Sequence, residues 1–167
     1  MNDCDPAPAP VAAVLIDALN LAHWCGRPAS LRVPLALLAA LLARGDQPML
    51  CFDASARYPL QHEAEVYAEL LAQPSLAFEV RSGIPADRVL LQQARKTGAA
   101  IISRDRFRDH RRRYRKLIDD PLRLQAGYVS NDRVVVPGLL LDAALPATAT
   151  QAWVLVQAWR LPPLPPG

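Results

Sequence analysis

Cysteine is scarce and scattered in this chain: Cys4, Cys25 and Cys51 are odd in number, far apart and without any C-x-x-C spacing. That pattern excludes a disulfide framework and a zinc cluster, and it fits a reducing compartment. Histidine is equally sparse, and none of His23, His62 and His110 is spaced as an acid–base partner to a nucleophile. The first strand-like segment is followed by no glycine-rich turn. A P-loop or dinucleotide-binding fold, whose glycines let phosphate approach the backbone, is therefore disfavoured. The strand-end aspartate pair or D-x-D, with later Lys and Thr, of a phosphoryl-transfer receiver or phosphatase is also missing. Long hydrophobic runs are absent too. The richest, Leu31 to Ala43, contains Arg32 and Pro34 and is too short to cross a bilayer. Met1-Asn2-Asp3-Cys4-Asp5 has neither the basic start nor the apolar core of a signal peptide. A cytoplasmic protein with no membrane partner is the expectation.

What is present suits one domain. Half of the 167 residues are apolar, enough to bury a core without disulfides or structural metal. Val11 to Ile16 is an unbroken apolar run closed by Asp17, as in a strand buried on both faces. After a loop from Leu21, Ser30 is placed to cap a helix with an inward stripe of Leu31, Leu35, Leu38 and Leu42, stopping at Gly45. Strands are then expected at Met49–Phe52, Leu76–Val80 and Ala99–Ser103, and helices over Gln61–Gln73, from Pro85 to Gly98, and from about Asp105 to Ile118. Alternating strands and helices predict an α/β fold with a central, mostly parallel twisted sheet flanked by helices. Beyond Pro121 the pattern becomes a hairpin, Leu124–Val129 and Val134–Val136 around Ser130-Asn131-Asp132. Gln151 to Arg160 alternates as a last strand would, with a helix as the other reading. The organisation expected is an N-terminal disordered segment at 1–10, one domain at 11–160 and a proline-rich tail at 161–167.

Four carboxylates stand at strand ends or helix starts in this reading: Asp17, Asp87, Asp105 and Asp109. A parallel sheet gathers its carboxyl ends along one edge, where open α/β folds hold their ligands. Like charges collected there repel unless a cation joins them, and hard oxygen ligands select Mg²⁺ or Mn²⁺. Asp17 has the least structural excuse, since burying it unpaired costs several kcal/mol. Asp87 sits in a first helical turn, where an aspartate also serves as a cap or dipole partner worth up to about 1 kcal/mol. Asp105 and Asp109, read as helical, share one face, and neighbouring arginines are an alternative source of compensation. Asp53 ends the second strand in an equivalent place and ranks as a supporting or loop residue.

Charge is distributed unevenly. Between Arg104 and Lys116 there are seven arginines and one lysine against two aspartates, although the net charge of the whole chain is only +3. A one-sided basic patch is the footprint of a nucleic-acid partner, and a solvated helix face is the alternative.

Taken together, Asp17-x-x-Asn20, Ala86-Asp87 and Ser103-x-Asp105-x-x-x-Asp109 resemble the PIN-like nuclease superfamily, in particular its NYN-domain branch and the Regnase-like ribonucleases. In that branch a first strand ends in D-G-S-N-V, a later helix opens with an acid, and S-N-D-x-[FY]-x-D supplies the last two. The likeness runs from about Val11 to Val136. Ala18-Leu19 replace Gly-Ser, and Ala86 replaces a frequent second aspartate, changes that would lower metal affinity or rate. The resemblance implies a three-layer PIN-like fold with a C-terminal hairpin or strand extension, and an endoribonuclease using Mg²⁺ or Mn²⁺. It implies metal ligation by Asp17, Asp87, Asp105 and Asp109, with Asn20 positioning a water or phosphate. RNA is the implied partner, held by Arg104, Arg108, Arg111, Arg112, Arg113 and Arg115, with His23 and Trp24 stacking on a base or packing on their own domain. A homodimer is compatible with the sequence. The competing reading is a catalytically weak or inactive RNA-binding or scaffolding module of the same fold.

Overall fold

The computed structural model describes residues 13–159. The expected N-terminal segment, the proline-rich tail and the ends of the first and last expected elements lie outside the described residues. Five strands, β1 (Ala13–Asp17), β2 (Gln47–Phe52), β3 (Ala77–Glu79), β4 (Ala100–Ile102) and β5 (Leu124–Gln125), form one sheet in the order β3-β2-β1-β4-β5, and every pairing is parallel. The chain winds outward from β1 through β2 to β3, then returns to the other side of β1 for β4 and β5. Strand order therefore reverses between β1 and β4, the place where such sheets leave a crevice.

Successive strand residues face opposite layers. Val14, Ile16, Leu50, Phe52 and Ile102 pack into the core shared with α1 (Ala18–Ala22), α2 (Arg32–Arg44), α3 (Ala64–Leu71) and α6 (Ala149–Ala158). Leu15, Cys51 and Ile101 pack on the other side, with α4 (Ala86–Thr97) and α5 (Arg111–Ile118). Asp17 has the parity of Leu15, so its carboxylate faces the α4 layer. Helix ends follow the sequence: Gly45 and Gly98 close α2 and α4 in the left-handed conformation, with φ of 87° and 79°, and Pro85 precedes α4.

Several expectations need correction. The loop expected after Asp17 begins with a helical turn, α1, because Ala18, Leu21 and Ala22 are buried at helical spacing. Ser30 does accept the Arg32 N–H, but Leu31 occupies the cap position, and Glu63 holds both the Leu31 N–H (2.7 Å) and the Ser30 hydroxyl (2.9 Å). Leu124–Gln125 joins the parallel sheet through β4, and the hairpin consists of β6 (Tyr128–Ser130) and β7 (Arg133–Val136), whose turn has Asn131 and Asp132 at φ of 51° and 56°. A third strand, β8 (Leu141–Ala144), extends the hairpin into a second sheet.

Gln151–Ala158 is helical. Thr148 caps α6 by accepting the Gln151 N–H (3.1 Å), and Ala149, Ala152, Trp153 and Val156 form the buried stripe against α2 and α3. The apparent alternation arose because apolar residues occupy both parities there. Among the described residues no helix is long and apolar enough to cross a membrane.

Candidate active site

Asp17 ends β1, and α1 starts at the next residue, so its carboxylate stands at the mouth of the β1/β4 crevice yet is only 7% exposed. One side-chain hydrogen bond holds it: the Ser103 hydroxyl donates to Oδ2 at 2.8 Å. Burial disfavours the charged form and raises its pKa from 3.8 to about 7; the Ser103 hydroxyl and the Asn20 backbone N–H oppose this, and the carboxylates of Asp87 and Asp105 add to it. Across the strand pair its partner is Cys51, a thiol that burial first and Asp17 second push up to about 12. That cysteine is an inert wall.

Ser103 follows β4 and is itself buried. Its oxygen also accepts the Asp105 N–H at 3.0 Å, so a single hydroxyl joins two aspartates from distant parts of the chain. Asn20 makes the parallel link. Its Oδ1 accepts the Arg104 N–H (3.0 Å) and the Trp24 indole N–H (3.1 Å), which fixes the turn after β4 against the loop after β1. The sequence motif contained Ser103 but gave it no role. Its signal was a hydroxyl between a buried strand and an acid.

Asp105 and Asp109 do not share a helical face. Asp105 lies in an exposed turn whose carboxylate accepts the Phe107 N–H at 2.8 Å, and Asp109 lies in a short 3₁₀ turn, Arg108–His110. Phe107 adopts φ 49° to bury its ring, which interrupts the helix expected from Asp105 and delays α5 to Arg111. Asp87, in the first turn of α4, is half-buried. Desolvation raises its pKa, as do Asp105, Asp53 and Asp109, while nearby His110 lowers it. The mutual influence of these groups places Asp87 among the other acids. Asp53 accepts the Ser55 hydroxyl (2.7 Å) and N–H (3.0 Å), bonds that hold its carboxyl below the usual range, and it acts as a loop anchor.

The donor set is oxygen only, which fits a hard divalent ion. Among the described residues no three Asp, Glu, His or Cys side chains are gathered closely enough to hold one as they stand.

The basic residues divide. Arg104 is committed to its own domain, with its guanidinium 4.4 Å over the Trp24 ring and its Nε donating to the Gly127 carbonyl (2.9 Å). Trp24 is buried between that guanidinium and the backbone at Gly127, where a Cβ would come within 2.9 Å of the indole. No ring face is left for a base. Trp24 thus follows the second of its two readings, packing on its own domain, and His23 beside it is exposed. Arg111 and Arg115 share Asp119. Arg108 and Arg112 are exposed and form no ion pair among the described residues. Arg112, Arg113 and Arg115 line a basic cleft of about 570 Å³ on the α4–α5 flank, together with Arg95 and Arg123.

Two comparisons place this geometry. The crystal structure of nuclear proteinaceous RNase P 2 (PRORP2) from A. thaliana superposes with a TM-score of 0.63 at 11% identity, covering 82% of this chain and 31% of that one. A second structure, Arabidopsis thaliana nuclear protein-only RNase P 2 (PRORP2), gives 0.59 at 13% identity, covering 75% and 29%. The chain thus spans under a third of either, and the likeness is one of fold. No curated protein matches the sequence significantly. The family model described as Zc3h12a-like Ribonuclease NYN domain matches residues 11–137, a stretch that holds every strand of the parallel sheet and all four candidate acids. The chain belongs to that family of ribonuclease domains.

Proposed function

We propose that this chain is an endoribonuclease that hydrolyses RNA phosphodiester bonds with Mg²⁺ or Mn²⁺ at Asp17, Asp87, Asp105 and Asp109. One observation carries the reading. A carboxylate buried at the sheet's switch point, raised to about 7 and facing further acids, is costly to the fold and useful chiefly to a cation.

The four aspartates would hold the ion directly or through its waters. A bound divalent ion supplies a water of lowered pKa and offsets charge on the phosphate oxygens. Ser103 keeps Asp17 and Asp105 in register, and Asn20, its oxygen occupied by Arg104 and Trp24, presents its amide N–H groups to a water or phosphate. Arg108 and Arg112 are free to take backbone phosphates, and Arg113 extends that path along α5. Such contacts give affinity without sequence choice.

The test is cleavage of labelled single-stranded RNA, duplex RNA and DNA by the purified chain with Mn²⁺ or Mg²⁺, and then with EDTA. Cutting of RNA that stops in chelator and in Asp17→Asn supports the proposal. Undiminished cutting in chelator rejects the metal. Salt-sensitive binding without cutting marks the non-catalytic RNA-binding module instead.

A further inference from the structure

Beside the carboxylates, the carboxyl ends of β2 and β3 open on a second cleft of about 710 Å³. That lies within the roughly 300–1,000 Å³ of small-molecule sites. One wall is the loop from Asp53 to Tyr58, the other the turn from Glu79 to Pro85, which leads directly into α4 and Asp87. The first wall is rigidly held. Asp53 closes a turn on Ser55, its carbonyl accepts the Ala56 N–H (3.0 Å), and Ala56 and Leu60 are fully buried on either side of Tyr58.

Between those anchors Tyr58 is 63% exposed at the cleft. The Arg57 guanidinium stands 5.1 Å from its ring centroid and donates to its hydroxyl at 3.2 Å. A lone exposed aromatic is ordinary on a protein surface. This one is clamped at its base, faced by a cation and set next to the acids. The cleft's carboxylates are engaged internally, Asp53 by Ser55 and Glu79 by the Tyr67 hydroxyl (2.5 Å). Arg57 and Arg81 form no ion pair among the described residues, so both guanidiniums are open to a phosphate at the cleft.

Building on the RNA-hydrolysing reading, we propose that this cleft is a nucleotide subsite: one unpaired base stacks on the Tyr58 ring while Arg57 and Arg81 take adjoining phosphates. A base reaches an aromatic platform only when splayed out of a helix, because bases in a duplex are already stacked and paired. The subsite therefore selects single-stranded RNA on the β2–β3 side of the acids. It tolerates any base, since each has a π-face.

Binding is measured in the Asp17→Asn background, where affinity is read without cleavage. The probes are a single-stranded oligoribonucleotide with one 2-aminopurine and a duplex of equal length carrying a fluorescent label. The single strand should bind with quenched 2-aminopurine. Tyr58→Ala should weaken that binding by roughly 5- to 150-fold and remove the quenching, with duplex affinity and melting temperature unchanged. Tyr58→Phe should retain both, and Arg81→Ala should weaken the single strand. Unchanged affinity and quenching in Tyr58→Ala, or equal losses for single strand and duplex, would overturn the subsite. The parent reading fails differently, by an absence of cleavage in the native chain with Mn²⁺.

Discussion

The Ser103 hydroxyl ties the Asp17 carboxylate to the Asp105 backbone N–H, while Asp87 and Asp109 make no side-chain hydrogen bond among the described residues. Asp17 ends β1, which is paired to β4, and Asp105 lies in the turn after β4 that Asn20 holds through the Arg104 N–H. Asp87 and Asp109 belong to a helix start and a 3₁₀ turn facing solvent. One half of the site is preformed, and the other can move toward a ligand. Replacing a group in the fixed half should disturb stability as well as chemistry, and replacing one in the mobile half chemistry alone.

The largest effect expected is that of Asp17→Asn, a loss of cleavage on the order of 10³-fold. Stability should move the other way. Because the folded-state pKa is raised, the carboxyl costs nothing below pH 3.8, costs progressively more as pH rises from 3.8 to about 7, and bears its full cost above that. The gap corresponds to about 4 kcal/mol. Metal-free Asp17→Asn should therefore melt higher than the native chain at pH 8 and alike at pH 4. A lower melting temperature at pH 8 would mean that Asp17 is not held against its charge.

Next comes metal. Manganese at about a hundred times its dissociation constant should stabilise the native chain at pH 8 by about 2.7 kcal/mol, and Asp17→Asn should show no such rise in thermal melting. Ser103→Ala should reduce cleavage by roughly 10- to 100-fold, as loss of a group that orients metal ligands does. It should also destabilise the fold by about 1–3 kcal/mol through the partners left unpaired. Asp109→Asn, from the mobile half, should reduce cleavage without shifting the melting temperature. The smallest effect is that of Arg108→Ala or Arg112→Ala, each lowering the salt slope of RNA binding by about 1 and leaving single-turnover cleavage nearly intact.

The acids were legible because each interrupts a pattern: Asp17 after a buried apolar run, Asp87 after Pro85, and Asp105 after a strand. The parallel sheet was legible from the same alternation. What escaped depended on contacts between distant residues. Helical periodicity carried no sign that Phe107 would turn to φ 49° to reach the core, because its reward is burial against α4 and the sheet. The sequence left Trp24 open between a base and its own domain, since neither Arg104 nor Gly127, which it packs on, is near it in sequence. β8 lacks β-branched residues and owes its conformation to pairing with β7.

Helix α6 contains none of the candidate acids, yet it lies along α2 and reaches α3, where the Trp153 indole donates to Glu69 at 2.6 Å. A chain shortened to end at Leu145 would retain every catalytic candidate while uncovering leucine-rich α2, and would be expected to self-associate before any assay began. Expression of a minimal nuclease from this protein should keep α6, Ala149–Ala158, as part of its core.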